Sequence, residues 1–473
     1  MPNIAQSCPH VNANELPVIS AITPLCSPQF LRQREVVNIY EKPIALLQQS
    51  PGVFADYVIA HLRKSPVLDR ASRQKVLQQA GELFAGSVLC GMNLTEYNTK
   101  VSSLTGLPRT VVENASDKIA QSISHALTFA LKGIPYGVPL QENQATDRYF
   151  CAQSVRRGDV LTVIAPGNGT GVHALWPQAI ALGYRVVIRP SEREPFTAQR
   201  VVAAMVAAGL QDYVTLLPCN YDVVETLIDA ADLSLIYGAD EITARYADRR
   251  NILVQGPGRS KVVIGADYPL EKALELIFTS VVGLGGAACV CASSVLVEGD
   301  AEALARKFCA FLSNKMKDPK QREEWLTHFS PQRYSWWCGQ VDNYASALVE
   351  TPEVFKSTQN TYQVMPLVMQ ASAINDPLVQ LELPVAAVTF LSFKEGDNLD
   401  FLAPALVVTV ASGNKNLINA IANVPGVKNF YIGQVPTVWM HPDVPHDGYL
   451  AEFLMQTRGY CVNNSEDEHS KVT

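Results

Sequence analysis

The sequence predicts an α/β protein whose parallel sheet is covered by helices on both faces. From residue 159 onward, short and almost wholly apolar runs such as DVLTVIAP and YRVVIRP alternate with amphipathic helical segments. These runs lack hydrophobic–polar alternation, which is typical of strands buried on both faces. The chain of 473 residues is also too long for one ordinary core, which predicts more than one domain.

The elements are predicted in order along the chain. Residues 1–50 are irregular and interrupted by prolines, whereas residues 69–132 repeat apolar positions at spacings of three and four, which predicts helices. Residues 134–158 are polar and contain Gly and Pro, which predicts a hairpin or an excursion from the fold. Residues 159–255 carry the first series of strands and helices, and a second αβ domain follows. Residues 465–473, SEDEHSKVT, are polar and are predicted to be a disordered tail.

Composition and charge exclude several classes of function. The chain is 48% hydrophobic and 18% charged, which is typical of a soluble globular protein. Its net charge is −7, from 38 basic and 45 acidic residues, and no Lys/Arg-rich block occurs, so we expect no nucleic-acid partner. The N-terminal stretch lacks the basic and apolar segments of a secretory signal, which favours a cytoplasmic location.

One uncharged run is long enough to be considered as a membrane-spanning segment. Residues 276–297 carry no charge and have about the length needed to span a bilayer. The run contains three glycines and four Ser/Thr residues, however, and acidic rather than basic residues flank it. We therefore predict that it is buried protein interior and that the protein has no membrane partner.

Ten cysteines are scattered along the chain, and two of them, Cys289 and Cys291, lie one residue apart in GGAACVCASS. Zinc sites favour C-x-x-C spacing or paired histidines, and the nearest histidines in sequence, His173 and His328, are isolated, so no metal site is expected. A disulfide across one residue would be strained. Two interpretations therefore remain for each of these cysteines, a buried packing thiol or a catalytic nucleophile.

The segment GNGTG follows a predicted strand and precedes a predicted helix. Gly167 and Gly169 fit the first two positions of a G-x-G-x-x-G phosphate loop, but the third position is Val172. The end of the next strand offers Arg189 rather than an acidic residue. Taken alone, this segment favours a tight turn between strand and helix.

Five segments, taken in order, carry a more specific signal. They are P-x-N at 166–168, RVVIRPSEREP from 185, IYG at 236–238, VQGPGRSKVVI at 254–264 and GAACVCASSVLV at 286–297. Their order and content resemble the aldehyde dehydrogenase superfamily over about residues 70–440.

The resemblance implies an aldehyde dehydrogenase-like architecture. A Rossmann-type cofactor domain would comprise residues 1–133 and 159–255, and a catalytic α/β domain would comprise residues 256–430. Residues 134–158 and 431–464 would form a small oligomerisation arm, giving a homodimer or homotetramer.

The resemblance also implies catalytic roles. Cys289 aligns with the family's nucleophile, whose thiolate adds to a carbonyl carbon. Asn168, two residues after Pro166, aligns with the side-chain donor that stabilises the resulting oxyanion, together with the Cys289 backbone N–H. The structural alternatives are a packing role for the thiol and an Asx-turn role for Asn168.

Cofactor residues are implied in the same way, for NAD or NADP. Arg189, Ser191 and Glu192 align with the K-P-S-E segment, whose Lys and Glu bind the adenosine ribose; a solvated charge cluster is the alternative. An arginine fork could also bind a 2′-phosphate, which Glu192 would repel, so the choice between NAD and NADP stays open. Gly238 aligns with a glycine near the pyrophosphate. Glu382 aligns, with a contraction of two residues, with the glutamate that binds the nicotinamide ribose.

One departure from the family pattern predicts the subtype. Gln255 stands where the family has the glutamate that activates water, and an amide cannot accept a proton at neutral pH. This favours transfer of the acyl group to or from a thiol, either coenzyme A or a carrier-protein phosphopantetheine arm. The segment PGNGTG is also similar to the acyl-CoA reductase branch, so reduction of an acyl thioester to an aldehyde is the leading hypothesis.

Three alternatives stay open. The first is an ordinary aldehyde dehydrogenase that forms a carboxylic acid with another base. The second is a glutamyl-phosphate reductase, which is less favoured because the sequence has no extra basic cluster for a phosphate. The third is a catalytically silent oligomeric scaffold of the same fold, in which Cys289 would react no faster than the other cysteines.

Overall fold

The computed structural model describes residues 16–25, 28–141, 150–394, 396–445 and 448–461. The predicted disordered tail at 465–473 lies outside these residues. Within them the chain forms two parallel sheets, two small antiparallel sheets and a three-stranded N-terminal sheet with one parallel and one antiparallel pairing.

The N-terminal region contains strands where the sequence analysis predicts irregular chain. The strands are β1 (Val18–Ile19), β2 (Gln33–Val37) and β3 (Pro43–Gln48), and they form a sheet in the order β1-β3-β2. The β2–β3 connection is closed by the Asn38 side chain, which accepts hydrogen bonds from the backbone N–H groups of Tyr40 and Lys42. Only Val36 of β2 is buried, so the strand lacks the apolar pattern that would have predicted it.

Helices follow the N-terminal sheet. The first, α1 (Gly52–Leu62), was not predicted from the sequence. The helices α2 (Arg70–Gly86), α3 (Leu94–Thr105), α4 (Arg109–Ser124) and α5 (Ala126–Leu131) form as predicted for residues 69–132. Asp69 caps the N-terminus of α2, and Asn93 and Glu96 form a capping box on α3.

The first parallel sheet has five strands in the order β7-β6-β5-β8-β9. Its strands are β5 (Val160–Ile164), β6 (Arg185–Arg189), β7 (Val214–Leu216), β8 (Leu233–Tyr237) and β9 (Ile252–Gln255), connected by α6 (Pro177–Ala181), α7 (Phe196–Ala207), α8 (Val224–Ala230) and α9 (Asp240–Arg245). Strands β5 and β6 are buried throughout. Val186 and Val187 point into different hydrophobic clusters, so both faces of the sheet are covered, as predicted.

The second parallel sheet has six strands in the order β15-β16-β11-β10-β17-β18. Its strands are β10 (Ser260–Ile264), β11 (Ala292–Glu298), β15 (Leu367–Gln370), β16 (Ala387–Phe393), β17 (Ala405–Ala411) and β18 (Val427–Ile432). The helices of this region are α10 (Leu270–Val282), α11 (Ala301–Lys315), α12 (Pro319–Trp325), α13 (Pro331–Asn343) and α14 (Lys415–Ala422). Val262 and Val263 again enter two different clusters.

Two small antiparallel sheets complete the described fold. The strands β12 (His328–Phe329), β13 (Val354–Lys356) and β14 (Tyr362–Val364) form one, in the order β12-β14-β13. The other pairs β4 (Phe150–Arg156) with β19 (Met455–Cys461), which follows α15 (Leu450–Leu454). The segments 134–158 and 431–464, which the resemblance assigns to an oligomerisation arm, therefore contribute the two strands of this sheet.

The uncharged run at 276–297 lies inside the fold as predicted. Its first part is the end of α10, and its last part is the buried strand β11. Among the described residues, no helix combines the length and the apolar character needed to cross a bilayer.

Candidate active site

The two parallel sheets meet at a crossover that places the predicted site residues together. Strand β9 is the last strand of the first sheet. Residues 256–259, which we call the crossover loop, connect it directly to β10 of the second sheet. Asn168, Arg189, Gly238 and Gln255 each lie at or just after the C-terminal end of a strand of the first sheet. Because parallel strands expose their C-terminal ends on one edge, these residues share that edge, where α/β proteins bind ligands.

Cys289 reaches the same place from the second sheet. It precedes β11, beside the start of β10, since Ser260 is paired with Ala292. Between α10 and β11, Leu284, Gly285 and Gly286 all adopt positive φ values, which turns the chain sharply. The Cys289 side chain is partly exposed, in contrast to the core strands beside it.

Two contacts hold the peptide group of Cys289. The Ser260 hydroxyl donates a hydrogen bond of 3.0 Å to its carbonyl oxygen. Gly258 packs against the same group so closely that an added Cβ would lie 1.7 Å from the oxygen. The crossover loop therefore fixes the backbone of the predicted nucleophile, and only glycine fits at 258.

Asn168 connects the two sheets at this point. Its side-chain amide donates a long hydrogen bond of 3.4 Å to the carbonyl of Ala287, two residues before Cys289. The side chain is exposed, and an added Cβ at the neighbouring Gly169 or at Gly171 would meet nothing within 4 Å. An amide donor thus lies beside the predicted nucleophile, with open space next to it.

Cys291 has a different environment from Cys289. Its thiol donates a hydrogen bond of 3.1 Å to the carbonyl of Gly283 inside the core. Burial raises the pKa of the Cys291 thiol to about 12, so it stays protonated at neutral pH. A thiolate is the reactive form of cysteine, and Cys291 is therefore a packing thiol.

Gln255 ends β9 and is only 7% exposed. Its backbone carbonyl accepts a hydrogen bond of 3.1 Å from the N–H of Gly238. An added Cβ at Gly238 would overlap Ile242, so Gly238 is required for the close packing of α9 on the strand end. The position that the resemblance assigns to a general base thus carries a buried, uncharged amide.

Glu382 belongs to a charge cluster at the crossover loop. Its carboxylate accepts a hydrogen bond from the backbone N–H of Arg259, a residue at φ +46°. Burial raises the pKa of Glu382, although the N–H groups of Gly258 and Arg259 and the charges of Arg259 and Lys261 oppose that rise. The Glu382 carboxylate thus lies against the loop that packs on Cys289.

The two cations of this cluster, Arg259 and Lys261, were not among the site residues predicted from the sequence. The Arg259 guanidinium donates to the Gln380 carbonyl at 3.0 Å and to the Asp240 carboxylate of α9 at 2.5 Å, and so connects the two sheet regions. Lys261 is fully buried, and its ammonium group donates to the carbonyls of Arg259 and Pro404 and to the Gln380 side chain. Burial lowers the pKa of Lys261 to about 7. A lysine inside an apolar strand was the available signal.

A second cluster lies at the end of β6. Arg189 is 1% exposed; its guanidinium donates to the Cys219 carbonyl at 3.1 Å and to the Glu192 carboxylate at 2.9 Å. Arg34 of β2 forms a second ion pair with Glu192. The Ser191 hydroxyl accepts a hydrogen bond from the N–H of Arg193. These contacts form an organised charge cluster rather than the solvated one that the sequence left open.

His173, one of the two isolated histidines noted in the sequence, lies in the core. His173 is buried, its Nδ1 accepts a hydrogen bond of 3.1 Å from the indole N–H of Trp176, and burial lowers its pKa to about 4. Among the described residues, no three or more His, Cys, Asp or Glu side chains are grouped so that they could hold a metal ion.

Comparisons with known proteins agree with this architecture. A family model described as "Aldehyde dehydrogenase family" matches residues 71–399. A malonate-semialdehyde dehydrogenase of Lacticaseibacillus casei is 31% identical over 171 residues, which cover 34% of each chain. Malonate-semialdehyde dehydrogenase 2 of Oceanobacillus iheyensis is 29% identical over 171 residues, 34% of this chain and 35% of that protein. The chain thus spans about a third of the length of these curated relatives.

Solved structures extend the likeness to nearly the whole chain. Indole-3-acetaldehyde dehydrogenase in complex with NAD⁺ superimposes with a TM-score of 0.77 at 16% identity, covering 94% of this chain and 96% of that one. The NAD⁺ complex of a Bacillus cereus aldehyde dehydrogenase gives a TM-score of 0.76 at 15% identity, covering 95% and 97%. The predicted α/β fold of this type, with a Rossmann-like and a second α/β domain, is confirmed.

Proposed function

The chain belongs to the aldehyde dehydrogenase family, and from that membership we propose that it reduces an acyl thioester to an aldehyde with a nicotinamide cofactor. The observation that carries the proposal is Gln255, a buried amide at the end of β9 where the resemblance assigns the water-activating glutamate. Cys289 and Asn168 lie together at the same crossover, so the site retains the groups needed for thioester chemistry.

Cys289 would form the covalent intermediate. Its thiolate attacks the carbonyl carbon of the acyl thioester, a tetrahedral oxyanion forms, and the substrate thiolate leaves to take a proton. A nicotinamide cofactor, when bound beside Cys289, would supply the hydride that reduces the thioester carbon. The resulting oxyanion reforms the carbonyl and releases the aldehyde, and the Cys289 thiolate is regenerated.

Asn168 would stabilise the oxyanion in both steps. Its amide N–H now makes a 3.4 Å hydrogen bond to Ala287, which is weak enough to be exchanged for a charged oxygen. The backbone N–H of Cys289 would be the second donor. Removing one such donor typically costs about 10²–10³ in rate.

The residues at the first sheet fit a nicotinamide dinucleotide, either NAD or NADP. The space beside Gly169 and Gly171 leaves room next to Asn168, and the Arg189–Glu192 cluster lies at the end of the neighbouring strand. Pro166, Ser191 and the other residues of these loops would line the same edge.

Gln255 is the reason for proposing a thiol, rather than water, as the partner in acyl transfer. Without a carboxylate at this position, water is a poor acceptor for the Cys289 acyl group. A thiol has a pKa of about 8.5, so a thiolate needs far less activation than water. Coenzyme A or a carrier-protein phosphopantetheine arm is therefore the proposed thiol component.

Glu382 favours a second candidate, an aldehyde dehydrogenase that forms the carboxylic acid. Its carboxylate contacts the loop that packs on Cys289, and burial raises its pKa, which would suit a general base. The related malonate-semialdehyde dehydrogenases also support an aldehyde as one reactant. The carboxylate is turned toward the Arg259 N–H, however, and this contact favours a positioning role.

Assembly and location follow the same proposal. The β4–β19 sheet would pair with a second copy of the chain to give a homodimer or homotetramer, because β19 exposes most of its residues. We propose a cytoplasmic location, where thioester substrates and reduced thiols occur together.

Absorbance at 340 nm tests the function directly. NADH and NADPH would each be offered a panel of acyl-CoA thioesters, and NAD and NADP would be offered free aldehydes with and without coenzyme A. The proposal expects thioester-dependent oxidation of the reduced cofactor that Cys289→Ala abolishes and Cys291→Ala retains. Aldehyde oxidation that proceeds equally without coenzyme A, and that Glu382→Gln abolishes, would establish the second candidate instead.

A further inference from the structure

We propose that Arg34 makes the cofactor crevice selective for a dinucleotide with a 2′-phosphate on its adenosine ribose, so that NADPH binds in preference to NADH. This inference rests on the proposed function, since it assumes that the crevice binds a nicotinamide dinucleotide. It assigns a ligand-binding role to the N-terminal sheet, which the sequence alone did not connect with the site.

Glu192 is the residue that would otherwise oppose a 2′-phosphate. In the role that the resemblance implies, the Glu192 carboxylate would accept hydrogen bonds from the ribose hydroxyl groups and would repel a phosphate. In this structure, one of its carboxylate oxygens pairs with Arg189 at 2.9 Å, and the other pairs with Arg34. The Glu192 side chain is only 8% exposed. Both oxygens are engaged and the charge is neutralised, so the repulsion is removed.

Arg189 itself is badly placed to take the phosphate. It is 1% exposed, and two of its nitrogens bind Glu192 and the Cys219 carbonyl. The Tyr221 ring covers the guanidinium, with 4.3 Å between the guanidinium carbon and the ring centroid. Arg189 therefore serves to hold Glu192.

Arg34 has the properties that Arg189 lacks. Its side chain is 59% exposed, so the N–H groups that do not face Glu192 are accessible to a ligand. A guanidinium presents donors in a planar fork that matches phosphate oxygens. A phosphate that binds Arg34 would lie at the end of β6, beside the residues implied in ribose binding.

The surrounding charges add to this preference. Arg32 lies on the same N-terminal segment and pairs with Asp222 at 3.7 Å, in the loop that also contributes Tyr221. The cluster thus contains three arginines (32, 34 and 189) and two carboxylates (192 and 222), a net charge of +1. A dianionic phosphate is favoured by this balance, and the uncharged ribose hydroxyl of NADH is not.

The fold holds Arg34 in place. Strand β2 pairs with β3 along its length, with Arg34 opposite Leu47. The chain after β3 is attached to the first parallel sheet, since the N–H of Ser50 donates to the Pro218 carbonyl at 2.8 Å. The arginine therefore extends from a strand attached to the cofactor sheet, which reduces the entropy lost on binding.

Binding measured by calorimetry tests the proposal without turnover. NADPH, NADH, 2′,5′-ADP and 5′-AMP would be titrated into the full-length protein, into Arg34→Ala and into Arg34→Lys. Arg32→Ala is the matched control, because it removes a neighbouring arginine that pairs with a different carboxylate. Thermal melts would verify that each variant is folded.

We expect the wild-type protein to bind NADPH at least about tenfold more tightly than NADH. It should likewise bind 2′,5′-ADP more tightly than 5′-AMP. Arg34→Ala should remove most of that preference while changing NADH affinity less than about threefold, and Arg34→Lys should retain part of it. Arg32→Ala should reduce the preference less than Arg34→Ala does, because the Arg32 guanidinium pairs with Asp222 rather than with Glu192.

Three results would overturn the inference. Equal affinity for the two dinucleotides in the wild type, or a preference that Arg34→Ala leaves intact, would refute it while the proposed function stands. If neither dinucleotide nor either fragment binds, the proposed function fails as well.

Discussion

Gly258 lies directly against the peptide carbonyl of Cys289, so that a side chain at position 258 would have no space. Ser260, two residues later, donates its hydroxyl hydrogen to the same oxygen. The crossover between the two sheets therefore fixes the nucleophile's backbone from one side, while the thiol remains partly exposed on the other. The contact predicts which glycines of the site are essential.

Gly258→Ala should lower kcat by at least about tenfold and destabilise the protein by about 1–3 kcal/mol, because the added methyl group must displace the Cys289 turn. Gly339→Ala in α13 is the matched control, since a methyl group there meets nothing within 4 Å and Gly339 is not among the residues assigned to the site. Steady-state kinetics and urea unfolding would check both variants. Equal effects of the two substitutions would contradict the role assigned to the contact.

The thiols should differ sharply in reactivity if Cys289 is the nucleophile. Burial raises the pKa values of Cys219, Cys291 and Cys309 to about 11, 12 and 12, so these three thiols should react slowly with iodoacetamide at neutral pH. Cys289 should be modified first, faster than the exposed Cys461. Peptide mass spectrometry after timed labelling measures each rate.

The same experiment separates an enzyme from a silent scaffold. Cys289→Ala should remove the fast-reacting thiol, and Cys291→Ala should leave it in place. Labelling of Cys289 no faster than that of Cys461 would favour the scaffold hypothesis, because the exposed Cys461 sets the reference rate for an accessible thiol.

Local patterns in the sequence predicted some of these features and missed others for physical reasons. The uninterrupted apolar runs of β5 and β6 are a short-range signal, and both strands form as predicted. Strand β2 was not predicted because only Val36 is buried in it. The strand depends on pairing with β3 rather than on a hydrophobic pattern of its own. Arg34 was missed for that reason.

Long-range contacts were the second limit. Glu382 and Arg259 are separated by 123 residues, and no local pattern connects a carboxylate in one loop with a backbone N–H in another. The contact between the Glu382 carboxylate and the crossover loop appears only in the fold. The resemblance to a family placed Cys289 and Asn168 because their motifs stand in order.

Lys261 should make stability depend on pH. Burial lowers its pKa from an ordinary 10.5 to about 7, so between these values the unfolded chain binds a proton that the folded protein does not. The free energy of unfolding should therefore rise with pH across that window, with a contribution from Lys261 of up to about 1.4 kcal/mol per pH unit.

Lys261→Met would test this dependence. The variant keeps an unbranched side chain of similar length but cannot be protonated, so its stability should rise less steeply than that of the wild type between pH 7 and about 9.5. Urea unfolding at several pH values gives both slopes. Parallel slopes would show that Lys261 is charged in the folded protein throughout this range.

Gln255→Glu tests the argument on which the subtype depends. A carboxylate at the end of β9 would restore the group that the resemblance assigns to water activation, so the Cys289 thioester should hydrolyse faster. We expect aldehyde oxidation without coenzyme A to increase by about 10²-fold, the lower range for a positioned general base. Nicotinamide reduction at 340 nm and detection of the carboxylic acid would measure it.

Gln255→Asn serves as the control for this substitution, because it changes the side chain at the same buried position without adding a charge. If Gln255→Glu leaves hydrolysis unchanged while the wild type already forms acid, the base lies elsewhere, and Glu382→Gln then becomes the decisive variant. Faster hydrolysis in Gln255→Glu, but not in Gln255→Asn, would show that the amide at position 255 is what makes water a poor acceptor of the Cys289 acyl group. A carboxylate oxygen in place of the amide nitrogen would then be sufficient to activate water.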